Sequence, residues 1–207
     1  MGYALAAEAA RRGALVELVS GPTHLSPPAG ARLHRVESAA QMRDAVLRLA
    51  PEAAAVLKAA AVADYRPARS SAHKIRKEEA DALQITLERT DDILAELGRS
   101  RGARPGERGS LPILVGFAAE TDLAETRGRE KLRSKGLDLI VVNPVNAPDA
   151  GFEVDTNRAL LLSADGGRTE IGLTTKAALA RTVLDRVEAL LAGLADPRRP
   201  ATAAPPG

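Results

Sequence analysis

The chain has no cysteine, which excludes disulfides, thiolate metal sites and a cysteine nucleophile and agrees weakly with a reducing compartment. Aromatic residues make up 2% of it, too few for the repeated stacking platforms of single-stranded nucleic-acid binders. Neither sign of charge dominates. Lys plus Arg number 29 and Asp plus Glu 27, so the sequence pI of 9.1 reflects a small excess and not a basic face for a duplex. No apolar run nears the roughly 20 residues of a membrane span, and the opening MGYALAAEAARR has neither the basic n-region nor the long apolar h-region of a signal peptide. These absences leave a soluble cytoplasmic domain as the expectation, without nucleic-acid or membrane partners. At 207 residues the chain is one domain, or a domain with a small lobe, long enough to bury a single core.

What is present reads as helices and strands in alternation. Residues 2–12, GYALAAEAARR, are strong helix formers with Leu5 and Ala9 on one stripe, and Gly13 can close the helix. ALVELVS, residues 14–20, alternates as a strand, and Ser20-Gly21-Pro22-Thr23 turns the chain after it. Residues 31–36 form a short strand; Ser38 caps a helix from Ala39 to Leu49 in which Met42, Val46 and Leu49 share a face and Met42 is core. A helix, a glycine stop and a strand are the second half of a βαβ unit. Its first half, a strand and a glycine-rich turn offering backbone amides to phosphate, would precede residue 1, so the expectation is a chain that starts at the helix, from an internal Met or as a fragment.

Further along, LQITLE (83–88) reads as a half-exposed strand, and Thr90-Asp91-Asp92 caps ILAELGRS. LPILVGFAAET (111–121) and LDLIVVN (137–143) read as buried strands of the parallel-sheet kind, with a helix from Asp122 to Lys135 between them. RALLLSA and RTEIGL, joined by Asp165-Gly166-Gly167, make a hairpin, and Thr175 caps an amphipathic helix to about Leu191. Residues 99–110 read as a solvated connector. Residues 1–195 read as one domain and 196–207, rich in Pro and Ala, as a disordered tail. His24 and His34 stand apart from other ligand-type residues, so no metal ligand is assigned.

The chemistry concentrates in Lys58 to Lys77, KAAAVADYRPARSSAHKIRK. The apolar run Ala53 to Ala63, interrupted only by Lys58, reads as one buried strand that delivers Asp64 to its end, where sites form in open α/β sheets. Arg66, Arg69, Lys74, Arg76 and Lys77 follow in a loop that either clamps an anion or is plain solvated surface. Lys131 and Lys135, four residues apart on one helix face, repel mildly unless an anion lies between them, although Arg129 and Arg133 nearby also suit a solvated face. Phe117 ends a strand among small residues, either as a flat wall for a base or as a core ring.

GYALAAEAARRGA with SGPT, AAAVADYRP with KIRK, GFAAET, and KxxxKGLDLIVVN cover nearly the whole chain. In their order and spacing they resemble the phosphopantothenate-cysteine ligase family, the second activity of the bifunctional coenzyme A biosynthesis flavoprotein of bacteria. The resemblance implies an α/β fold, a Rossmann-like three-layer sheet with helices on both faces and a late β-hairpin, with the first strand and phosphate loop missing. The implied reaction uses CTP and Mg2+ to turn the carboxylate of 4'-phosphopantothenate into an acyl-cytidylate, after which L-cysteine displaces CMP; CTP versus ATP stays open. It implies Lys74 as the catalytic residue and a nucleotide site of Lys58, Ala59, Ala60, Asp64, Lys74, Asp91, Asp92, Ile93, Leu94, Phe117, Lys131 and Lys135. Asp91 stands where the family has a proline. The family asparagine that handles the intermediate has no counterpart here, so turnover of the chain as written is expected to be impaired. A homodimer through the late strands and a flavin decarboxylase partner domain are also implied, with no FMN bound by this chain. Two other readings stay open: a dinucleotide-dependent oxidoreductase, against which there is no G-x-G-x-x-G, and a nucleotide-binding or regulatory protein without ligase activity.

Overall fold

The computed structural model describes residues 1–69, 84–101, 111–120, 123–144 and 156–195. Strands β3 (Ala55–Lys58), β6 (Ile113–Glu120), β7 (Leu139–Pro144), β8 (Thr156–Ser163) and β9 (Arg168–Thr175) lie side by side in that order. The first three are parallel and the last two form the antiparallel hairpin expected around Asp165-Gly166-Gly167. Strands β1 (Val16–Ser20) and β2 (Ala31–Arg35) pair parallel in a sheet of their own.

Strand β6 explains the layering, because successive side chains of a strand point to opposite faces. Ile113 and Val115 join one apolar cluster with Leu5 of helix α1 (Gly2–Arg11) and Leu179 and Val183 of helix α5 (Lys176–Ala195). Leu114 and Ala118 join the other, with Met42 of α2 (Ala39–Leu49), Ile93 and Leu97 of α3 (Ile93–Ser100) and Leu132 of α4 (Ala124–Ser134). Helices therefore cover both faces, as the all-apolar strands require. Each such Leu or Val stabilises the fold by about 1.5–3 kcal/mol on burial.

Local signals behave as the residue types dictate. Ser38 and Gln41 form a reciprocal capping box on α2, Thr175 Oγ1 accepts the Ala178 amide 3.1 Å away at the start of α5, and Gly13 takes φ 85° after α1. Helix α1 is tied to α5 by Arg12, which contacts Asp185 at 2.8 Å and Glu188 at 3.0 Å. Beside Leu5 the buried stripe of α1 holds Ala6 and Glu8, while Ala9 is only half-buried; Glu8 is accommodated because Arg11 and Arg12 cover its carboxylate at 2.7 and 2.9 Å. The start of α1 sits at the carboxyl ends of two strands. Tyr3 bonds Ser20 at the end of β1 over 3.0 Å, and a Cβ at Gly2 would lie 3.8 Å from Ala59, just past β3.

Two strand expectations are corrected. The run Ala53 to Ala63 is not one buried strand: only Ala55–Lys58 is strand, all four residues are half-buried, and among the described residues it pairs on one edge only, with β6. Alanines offer little area to bury, so the chain leaves the sheet at Ala59 and Asp64 is exposed, six residues beyond β3. The expected strand LQITLE shrinks to β5 (Leu87–Arg89), which pairs antiparallel with β4 (Tyr65–Pro67) in a small exposed ribbon. The tail at 196–207 and most of the connector at 99–110 lie outside the described residues.

Helices α3 and α4 meet at a backbone contact: a methyl added at Gly98 would stand 2.1 Å from the carbonyl oxygen of Lys135. A Gly98→Ala variant must push these helices apart and is expected to lose about 1–3 kcal/mol, measured as a lower urea midpoint with unchanged slope. A midpoint equal to the parent's would show that the contact is not a packing constraint.

Candidate functional site

The titratable groups gather at the carboxyl ends of the parallel strands, on the face covered by α3 and α4. Lys58, the last residue of β3, is half-buried, and its ammonium donates to the Ala60 carbonyl at 2.9 Å. Burial lowers its pKa below that of an ordinary lysine; the charge of Asp92 opposes this, Lys135 adds to it, and Asp64 opposes it. Lys58 thus senses Asp92, Lys135 and Asp64 across the loop after β3 and the start of α3.

Asp92 anchors this group. It is the N-cap of α3, accepting the Ala95 amide at 3.1 Å, and it accepts from the Lys135 ammonium at 2.9 Å. Burial alone would raise its carboxyl pKa, but the Lys135 hydrogen bond, the Ala95 amide and the charges of Lys135 and Lys58 hold it below the ordinary aspartate value. Lys135 follows α4, whose end touches α3 at Gly98, so its side chain runs back along α3 to reach the cap.

Lys131 lies one turn earlier on α4 and has a different partner. Its Nζ is 2.5 Å from Glu120 Oε1 at the end of β6, and the Arg127 guanidinium is 3.4 Å from Glu120 Oε2. The two lysines share a helix face as their spacing requires, yet each is met by its own carboxylate. That pairing removes the repulsion between them without any ligand.

The remaining expected residues divide. Asp64 is exposed, its carbonyl accepting the Thr90 amide at 2.9 Å. Asp91 is exposed with Arg43 at 3.9 Å. Ile93 and Leu94 are 1% and 5% exposed; their side chains belong to the core, because they are the first apolar turn of α3. Ala59 and Phe117 pack on the opposite, α1 and α5, face of the sheet, since Phe117 has the parity of Val115 on β6. Ala60 is exposed in the loop that Lys58 bonds. Lys74 lies outside the described residues.

Three residues near this rim were not assigned to it from the sequence. Glu120 is 5% exposed; the signal was available, since a carboxylate ends the apolar strand in the GFAAET stretch. Thr90 Oγ1 and Asn143 Oδ1 are buried without a hydrogen-bond partner among the described residues, and no residue pattern announces that. Asn143 precedes the last residue of β7 and Thr90 stands three residues before α3, so both lie near this rim. Buried polar atoms are normally satisfied, and these suit a polar ligand.

The Asp92–Lys135 pair makes a signed pH prediction. A carboxylate whose pKa is depressed by folding contributes stability that is present above its unfolded pKa of about 4 and lost as pH falls through the lower folded value. Asn also caps helices well, so Asp92→Asn removes mainly the charge pair. The variant is expected to be less stable than the parent at pH 7 by under about 1 kcal/mol, both groups being partly solvated, with the difference closing between about pH 5 and 3. A difference that stays constant over that range in denaturant titrations would rule out the pair as its source.

The chain is similar to known proteins over most of its length. The family model described as DNA/pantothenate metabolism flavoprotein C-terminal domain matches residues 1–191. Coenzyme A biosynthesis bifunctional protein CoaBC of Bacillus subtilis (strain 168) is 44% identical over 191 residues, covering 92% of this chain and 45% of the relative. The protein of the same name from Mycolicibacterium smegmatis is 44% identical over 195 residues, covering 92% and 46%. The chain therefore spans about half the length of these relatives. Among solved structures, the C-terminal domain of a CoaBC superposes with a TM-score of 0.73 at 38% identity, covering 92% of this chain and 82% of that one.

Proposed function

Because the chain belongs to the DNA/pantothenate metabolism flavoprotein C-terminal domain family, we propose that it serves coenzyme A biosynthesis as a phosphopantothenate-cysteine ligase using CTP. The observation that carries this is the rim itself, where Lys58, Lys131 and Lys135 stand with Asp92 and Glu120 at the carboxyl ends of parallel strands. Nucleotides bind outside the carboxyl ends of such strands.

In this reaction the carboxylate of 4'-phosphopantothenate attacks the α-phosphorus of CTP, the bond to the β-phosphate breaks, and pyrophosphate leaves. The amine of cysteine then attacks the acyl carbon, loses a proton, and CMP departs. Both steps need preorganised positive charge where phosphate charge develops, and Lys131 and Lys135 supply it on the α4 side. Asp64 and Phe117 hold sugar and base. Since Phe117 packs on the α1 face, the nucleotide straddles the sheet rim, its base on one side and its phosphates on the other. Asp91, Asp92, Ile93 and Leu94 contribute through the start of α3, the last two through backbone alone. Lys74 stabilises the departing pyrophosphate. Magnesium, when bound, would offset phosphate charge; among the described residues no three His, Asp or Glu side chains stand together as a site for it. Two copies pair through the late strands, and the flavin decarboxylase is a partner domain.

Isothermal titration of the chain with CTP, and pyrophosphate release on adding 4'-phosphopantothenate, test the proposal. Removing a charge-assisted contact in Lys135→Met is expected to weaken CTP binding about tenfold or more, and Lys74→Gln, in a chain extended by the strand and asparagine-bearing loop that precede the helix in the family, to abolish pyrophosphate release with less effect on affinity. A parent chain that fails to bind CTP would overturn the assignment.

A further inference from the structure

Glu120 is the most buried charged side chain near the rim, and no step of the ligation uses it. Its carboxylate is 5% exposed while its partner Lys131 is 42% exposed, so the anion forms the floor and the cation the mouth. Oε1 accepts from Lys131 Nζ at 2.5 Å and Oε2 from Arg127 at 3.4 Å. A carboxylate this enclosed persists only with such partners, and at the end of β6 it stands beside β7, in register with Pro144. An ammonium has three donors. With one committed to Glu120, two remain for solvent or a ligand from the open side.

We propose that Glu120 is a positioning residue: it fixes the Lys131 ammonium so that its free donors meet the phosphate oxygens of the bound triphosphate. The inference rests on the nucleotide site proposed above and deepens it. It also differs in sign from simple charge counting. Glu120 adds a negative charge beside a phosphate site, so neutralising it should strengthen anion binding if charge alone mattered. If it positions Lys131, neutralising it must weaken binding, because the lysine then loses its fixed orientation and has to be ordered by the ligand.

Titrations of the full chain with inorganic tripolyphosphate and with CTP decide between these signs. Glu120→Gln is expected to weaken both ligands about tenfold, and Glu120→Asp, which keeps the charge but withdraws it by one methylene, to weaken them less. In a Lys131→Met background, Glu120→Gln is expected to have no further effect. Unchanged or tighter binding in Glu120→Gln, or the same tenfold loss in the Lys131→Met background, overturns the positioning role. Should Glu120→Gln fail to fold, by circular dichroism, Glu120→Asp in the two backgrounds carries the same comparison. Tripolyphosphate binding that follows this pattern while CTP binds no better supports Glu120 and refutes the cytidine reading. A parent that binds neither ligand overturns both.

Discussion

Strands β6 and β7 are apolar on both faces, with Leu114, Val115, Val141 and Val142 all at 0% exposure. Such strands are stable only when helices seal each face, and sealing leaves no place along their length for a charge. Polar side chains are thereby driven to the strand ends. Lys58, Glu120 and Asn143 mark the carboxyl ends, whereas Asp138, just before β7, accepts the Leu114 amide at 2.7 Å and pairs with Arg101 at the opposite end. The hydrophobic requirement of the sheet is what assembles the rim.

Two of the rim lysines are paired with carboxylates. Asp92 meets Lys135 and Glu120 meets Lys131, but the two pairs differ in environment. Asp92 is 45% exposed, so water screens its pair and a ligand can compete for Lys135 at modest cost. Glu120 is enclosed, where separating a pair leaves an uncompensated charge. Lys135 is therefore the more readily released of the two lysines and Lys131 the more firmly held.

Much of the fold was legible because its signals are local. The Ser38 cap, the Asp165-Gly166-Gly167 hairpin, Thr175 before α5 and the unbroken apolar runs of β6 and β7 each follow from short-range geometry or from period. What was not legible depends on distant partners. The alanine-rich run after Ala53 looked like strand throughout, but strand length depends on how much partner sheet is available, and β3 finds it for only Ala55–Lys58. Ile93 and Leu94 stood in a motif that resembled a binding turn, yet their side chains serve the core; the same residues carry both signals, and a sequence cannot separate backbone from side-chain use.

By itself the sequence determined the α/β class, the family and the lysine spacing, because helix and strand periods, caps and ordered motifs are properties of neighbouring residues. Tertiary structure alone decided that Lys131 and Lys135 take different carboxylates, that Phe117 faces away from them, and that Glu120 is enclosed. Those outcomes depend on which strand ends meet which helix ends, and such meetings are set by packing between segments far apart in the chain.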